Sequence, residues 1–521
     1  MTAMLLPLLV AVPLLSAGAL VVVGERRRAH TATLVAVLSA TFVAAVALAV
    51  HFGSGATPLA TGVGQWPVGI AIPFAADALT AIMLAVTSLL SLASVAFAVA
   101  SDRASTRYFA PLMLVLIAGI NGALLTADLF NLFVFIEVML VPSYGLFVLA
   151  GPGAASLRQV AGARLYVVVN LLTSTIFLIG VAFVYGTAGS VNLADLAGAA
   201  QEDSRVALAV AVCLIALGIK AAVVPVHGWI ARAYPATSPA ITALFSGLHT
   251  KVAIYAIVRI YAVIFDGDTR YLWVGAVVFG VTMLVGAVAA AGASTLRESL
   301  TFSMVSGIGT ILLGMALFTQ AGLAAAIFYL VHHMIVKTSL FLSTGAIEVR
   351  YGTGVLGRVT GLAKREPVLA AAFLVAALSL AGLPPFSGFV AKVALVWASL
   401  DAGQGLIAAL IIVASLVTLV AMLRIWAALF WSTPPGPDLE PIAGTLPLPL
   451  PRETPRGGRV ALAPASSTRT RVRAALAAPA VVLAALTVVL GLAAEPLLAL
   501  SETAATGLLD TSAYVEAVST P

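Results

Sequence analysis

Residues 206–260 read VALAVAVCLIALGIKAAVVPVHGWIARAYPATSPAITALFSGLHTKVAIYAIVRI. Apolar side chains dominate over the length of two consecutive bilayer spans, at about 20 residues each. Yet the stretch holds Lys220, Pro225, His227, His249 and Lys251. A charged side chain at the bilayer centre costs about 2.5–3.5 kcal/mol on insertion scales, and such groups face a polar interior or an ion path. Two lysines on consecutive spans, the first followed by a proline, mark the working centre of a proton or cation translocator.

The rest of the chain extends the pattern. It has 521 residues, 61% hydrophobic and 9% charged, with a mean hydropathy of +1.11. No soluble domain of this length has that composition, so the expected fold is an all-α polytopic membrane protein. The apolar runs are continuous rather than alternating, which excludes a β-barrel. Fourteen transmembrane helices are predicted, near 3–23, 31–51, 73–99, 109–126, 129–150, 163–186, 206–233, 239–263, 272–292, 301–319, 321–346, 368–398, 404–430 and 474–498. The first run has no basic start and no small-residue cleavage site, so it reads as an uncleaved anchor.

Loop charge gives an orientation. One set of loops and span edges carries nineteen basic residues, among them Arg26, Arg27, Arg28, Arg103, Arg107, Arg158, Arg297, Arg350 and Lys364; the alternate set carries only Arg205 and Arg270. The positive-inside rule places the first set in the cytoplasm of a cell membrane, with both termini outside. The net charge of +6 is explained by these loops, so it does not imply a nucleic-acid partner. Residues 431–473, rich in proline, glycine and arginine, read as a cytoplasmic linker. Residues 474–521 read as an appended helix with an acidic outer tail that docks a partner.

Several chemistries are absent. The single cysteine, Cys213, cannot build a disulfide, cluster or zinc site alone. No glycine-rich phosphate loop follows a strand, and Gly307-Ile308-Gly309 sits in an apolar run where it serves packing. No cofactor, no metal site and no enzyme activity of its own is expected of this chain.

Six basic residues fall inside spans: Lys220, Lys251, Arg259, Lys337, Lys392 and Arg424. Four of the five lysines are in this group, whereas the loops use arginine. Arginine stays charged, and lysine can release a proton when buried. Arg259 and Arg424 lie near span ends and suit snorkelling to an interface. Glu137 is the only carboxylate near the centre of a strongly apolar span. It would either pair statically with a lysine, fixing helix packing, or tune that lysine's protonation by approaching and withdrawing. Asp77, at the start of the third span, is a point at which a cation enters or a helix-end carboxylate favoured by the dipole.

Two spans are interrupted. Pro225 follows Lys220 by five residues, and Gly382-Leu383-Pro384-Pro385 precedes Lys392. Interruptions at corresponding places in two halves point to inverted repeats, here 109–263 and 272–430, five helices each, after three N-terminal helices in 1–108. Between the breaks lies His332-His333-Met334-Ile335-Val336-Lys337, where His333 and Lys337 share a helix face. Histidine titrates near neutrality and can shuttle protons; His227 and His249 add polar steps.

These residues carry a resemblance. Glu137 in its aromatic span, Lys220 before Pro225, His249-Thr250-Lys251-Val252, the stretch from His332 to Lys337, and Pro384-Pro385 through Lys392 resemble the antiporter-like membrane subunits shared by Mrp-type multisubunit cation/proton antiporters and respiratory complex I. Phe130-Asn131-Leu132-Phe133-Val134-Phe135, Ser143-Tyr144-Gly145 and Ala243-Leu244-Phe245-Ser246-Gly247 are most similar to the D-type subunits of the Mrp antiporters. The sequence departs from many relatives at Ile230-Ala231-Arg232 and at Arg297-Glu298. The resemblance implies a fourteen-helix fold with two inverted five-helix repeats, in an obligate hetero-oligomeric membrane complex. The expected function is proton translocation within a Na+/H+ antiporter, with Glu137 tuning Lys220, protons passing along Lys251, His332, His333 and Lys337, and Lys392 as the far terminus. The alternative is a proton-pumping membrane component of a complex I-like quinone reductase.

Overall fold

A computed structural model of the chain describes residues 3–66, 70–149, 157–356, 358–431 and 471–520. The expected linker at 431–473 falls almost wholly outside these residues. Eleven described helices are long and apolar enough to cross a membrane, and Phe109–Leu125 and Pro367–Ala381 are shorter apolar helices.

The chain begins with α1 (Leu8–Val23) and α2 (Arg27–Gly53), whose outer faces expose Leu15, Val22 and Val43 as lipid-facing helices do. An antiparallel hairpin, β1 (Leu59–Gly62) and β2 (Pro73–Ala76), sets Leu59 opposite Ala76. The third span, read from the sequence as starting at 73, therefore begins as a strand; α3 (Ala78–Ala100) starts only after Asp77, whose carboxylate accepts from Thr80 N at 2.9 Å. Then come α4 (Phe109–Leu125), α5 (Leu129–Val148) and α6 (Leu157–Ala188). A single turn, α7 (Ala199–Glu202), precedes α8 (Ser204–Lys220) and its short continuation α9 (Gly228–Ala233). Next are α10 (Pro239–Ile264), α11 (Leu272–Gly292), α12 (Leu296–Met315) and α13 (Gln320–Tyr351). After the single turn α14 (Leu362–Arg365), a second interrupted pair follows, α15 (Pro367–Ala381) and α16 (Ser387–Asp401), and then α17 (Gly405–Trp426). The described chain resumes with α18 (Ala474–Leu492), α19 (Glu495–Leu509) and α20 (Ser512–Ser519).

Two helices form the axis. Every residue of α10 except Tyr261 is buried, and α13 is buried from Gly322 to Ile347. They pack on each other, with α3 and α12 against both. A helix polar enough to carry Lys251 or His332, His333 and Lys337 cannot face lipid, and this enclosure is the solution.

The breaks lie where proline and glycine place them. α8 ends at Lys220 and α9 starts at Gly228; α15 ends at Ala381, Gly382 adopts φ +90°, and α16 starts at Ser387. Polar groups freed at membrane depth find partners. Trp229 Nε1 donates to Ile219 O at 3.1 Å, Thr282 Oγ1 accepts from Val224 N at 3.1 Å, and Lys392 Nζ donates to Ala381 O at 3.0 Å.

The residues after α18 do not trail away. α19 packs on α13 and α3, where Gln320 Nε2 donates to Glu502 O at 2.9 Å, and α20 lies on the hairpin. These elements share one face with the acidic loops, since Thr511 Oγ1 donates to Asp266 Oδ1 at 3.4 Å. The opposite face is rich in arginine. There Arg297 forms a fork with Glu348 and also donates to Thr237 O at 2.5 Å and Pro235 O at 3.3 Å, joining α12 and α13 to the end of α9.

Candidate functional site

Five helices, α5, α8, α10, α13 and α16, carry the intramembrane ionisable groups of the file. Glu137 is carried by α5, where it is only half-buried, although its Oε1 is enclosed without a hydrogen-bond partner among the described residues. It acts electrostatically on Lys220, yet no ion pair within 4.0 Å joins the two. The static pair that the sequence allowed is therefore not formed in this conformation.

Lys220 is the last residue of α8, 3% exposed. Its Nζ donates to Asn170 Oδ1 of α6 at 3.3 Å. His249, on α10, is its next charged-capable neighbour. The His249 ring stacks on Phe245 at 4.3 Å between centroids, and its Nδ1 is 2.7 Å from Tyr166 Oη, which in turn lies 3.1 Å from Ser143 Oγ. Lys251, fully buried two residues further along α10, donates to Ser246 O at 2.5 Å and Thr250 Oγ1 at 3.1 Å.

On α13, His333 stands within electrostatic reach of both Lys251 and Lys337. Lys337 donates to Leu300 O at 3.2 Å and to Ser303 Oγ. His332 Nδ1 is 2.8 Å from Ser387 Oγ, the first residue of α16, and His332 lies within electrostatic reach of Lys392 and Lys337. Lys392 ends the file against the broken end of α15 and borders a lateral groove lined by Leu383, Phe389 and Trp397.

Each of the four buried lysines thus rests on neutral oxygens. Among the described residues none has a carboxylate within 4.0 Å, so none is locked into an ion pair. The histidines between them keep ring nitrogens without a hydrogen-bond partner among the described residues: Nε2 of His249 and His332, and both nitrogens of His333. A neutral imidazole can accept a proton on one nitrogen and release one from the other. The arrangement can pass protons sideways through the membrane plane.

The remaining expected groups lie apart. His227 sits just before α9 against Phe302, and no hydrogen bond among the described residues links it to a lysine. Asp77 is the N-cap of α3, and its Oδ2 accepts from Arg259 Nη2 at 2.5 Å. Arg259, which the sequence suggested would snorkel, is instead 2% exposed and paired. Arg424 does reach a helix end, donating to Ala291 O and Ala293 O.

Sequence reasoning missed Asn170, Tyr166, Ser303 and Ser387, and took Ser143 only as part of the stretch that carries the resemblance. A signal existed for α6, where Tyr166, Asn170 and Thr173 follow one another at helical spacing within an apolar run. Gly307 also belongs to the site: a Cβ there would lie 2.0 Å from His333 Nε2.

Fold and file define a class: multi-pass membrane proteins in which buried lysines and histidines line up across two interrupted helices. The family model for NADH:quinone oxidoreductase/Mrp antiporter membrane proteins matches residues 126–418. A relative from Alkalihalophilus pseudofirmus, the D-type subunit of a Na(+)/H(+) antiporter, is 35% identical over 474 residues, 90% of this chain and 89% of its own. A chain in the structure of the Mrp complex from Dietzia sp. DQ12-45-1b is 54% identical, with a TM-score of 0.92 and 99% of each chain covered. A chain of respiratory complex I from Thermus thermophilus shares the fold, at 24% identity and a TM-score of 0.71, covering 94% of this chain and 98% of its own. The chain belongs to the family of NADH:quinone oxidoreductase/Mrp antiporter membrane proteins, on the side of the D-type antiporter subunits.

Proposed function

We propose that the chain is the proton-translocating subunit of a multisubunit Na+/H+ antiporter in the cell membrane, working with other membrane subunits. The observation that carries this reading is the file itself, four buried lysines on neutral partners bridged by histidines with free ring nitrogens. Glu137 loads Lys220 electrostatically; Lys251, His333, Lys337 and His332 carry protons laterally, with His249 beside the first step; Lys392 is the far terminus. His227 is assigned a place on the access route beside the first break. Asp77 is assigned to Arg259 rather than to a passing cation. The arginine-rich face is taken as cytoplasmic, with both termini outside. Counting α4 and the two interrupted pairs as crossings brings the eleven long helices to fourteen, arranged as two repeats over 109–263 and 272–430.

The test uses everted vesicles holding the whole complex and a dye for the internal acid gradient. Addition of sodium should dissipate an imposed gradient. Indifference to sodium, with lumen acidification on adding a reductant, would replace this reading by the redox-driven pump.

A further inference from the structure

The lateral file leaves one polar cluster unused, at the acidic end of α3 and α10. Tyr255 stands one helical turn from Lys251 on the same face of α10. Its hydroxyl donates to Leu124 O at 2.7 Å and lies 2.9 Å from Thr80 Oγ1. Thr80 N donates to Asp77 Oδ1 at 2.9 Å, and Asp77 Oδ2 accepts from Arg259 Nη2 at 2.5 Å. The Arg259 guanidinium lies between two rings, 5.6 Å from Tyr255 and 4.5 Å from Tyr514 of α20. Oxygen and nitrogen atoms thus follow one another from the Tyr255 hydroxyl to the surface helix.

Two observations distinguish this cluster from a helix cap. Arg259 is 2% exposed, yet its Nε and Nη1 have no hydrogen-bond partner among the described residues. A buried guanidinium with two idle donors is poised for a further acceptor. The cover is also an add-on: Tyr514, itself 3% exposed, belongs to a short terminal helix held over the hairpin rather than to the bundle. Aromatic rings over a guanidinium attract it enough to hold such a cover and weakly enough to let it open.

We infer that Tyr255, Thr80 and the Asp77–Arg259 pair form an outward branch of the relay, gated by Tyr514. Opening of α20 admits water to the two idle donors and loosens Arg259 from Asp77; the Tyr255 hydroxyl turns its hydrogen from Leu124 O to Thr80 Oγ1, and the admitted water takes the Thr80 hydroxyl proton to the freed Asp77 carboxylate. Arg259 remains charged and bars sodium from the same opening. This rests on the antiporter reading and on the acidic face being the outer one.

The experiment uses the whole complex, with Cys213→Ala and Thr80→Cys in this chain, and a membrane-impermeant maleimide applied from each side. Tyr514→Ala should raise labelling from the acidic face at least tenfold over Tyr514→Phe, which keeps the ring. Measured separately, in a chain that keeps Thr80 and Cys213, Asp77→Asn, which preserves the helix cap, should slow sodium-driven exchange at least tenfold with the complex still assembled. Equal labelling of the Tyr514 variants, labelling from the arginine-rich face, or undiminished exchange in Asp77→Asn overturns the gate. Lys220→Ala, measured alongside, reports on the file separately: normal exchange there would refute the relay while leaving the labelling result to be judged alone.

Discussion

A methyl group on the Cα of Gly307 would stand 2.0 Å from Nε2 of His333, so the imidazole occupies space that only this glycine leaves. His333 lies within electrostatic reach of Lys251 and Lys337, and the proposed relay makes it the link between them. A residue with no chemistry of its own therefore sets the position of the relay's middle step.

Gly307→Ala is expected to displace His333 and cut exchange by about tenfold, corresponding to about 1.4 kcal/mol in the barrier. The check is a double-mutant comparison of exchange in assembled complexes. In a His333→Ala background the extra methyl has nothing to strike, so Gly307→Ala should add little. Equal losses in both backgrounds would trace the effect to general packing instead.

Asn170 is the hydrogen-bond acceptor of Lys220 among the described residues, at 3.3 Å. Asn170→Ala removes that anchor, and exchange should fall several-fold. Asn170→Asp should be slower still, because a carboxylate there would lock the ammonium in an ion pair. Exchange rates of the two variants beside wild type decide the point. An Asp variant faster than the Ala variant would contradict the role given to neutral partners.

Arg297 ties Glu348 to the carbonyls of Pro235 and Thr237, across the junction of the two halves. Hydrogen bonds to charged groups contribute about 1.5–3 kcal/mol when a partner is deleted. Arg297→Gln should therefore lower the thermal stability of the purified complex, with exchange per assembled complex preserved. A stability unchanged from wild type would show that the fork contributes little.

The ionisable half of this site was legible in the sequence, because a lysine or glutamate in an apolar run has few reasons to be there. Lys220, Lys251, Lys337, Lys392 and Glu137 stand out by cost alone. The two breaks were legible because proline and glycine combine there, Pro225 with Gly228 and Gly382 with Pro384-Pro385, whereas the lone Pro142 leaves α5 continuous. The neutral half was not. Asn170, Ser303 and Ser387 are cheap in a membrane helix, and only packing reveals which of them meets a lysine. Gly307 read as plain packing; its meaning depends on a histidine 26 positions away (333 − 307).

Arg259 shows the other limit. Near a helix end it suggested snorkelling, whereas its partner Asp77 lies 182 residues earlier. Nor did the sequence reveal the ends of the C-terminal region. Glu502, Asp510 and Glu516 follow the span predicted to end at 498, so this region read as an acidic outer tail docking a partner; α19 and α20 are helices that pack within the chain, on α13 and on the hairpin.

The central claim is that protons pass through Lys220. The most direct measurement compares wild type with Lys220→Ala, as whole complexes in everted vesicles, following the collapse of an acid gradient on sodium addition. Assembly is verified by co-purification of the other subunits. The account predicts that wild type collapses the gradient and that Lys220→Ala loses at least about tenfold in rate. A Lys220→Ala complex that exchanges at the wild-type rate would contradict it.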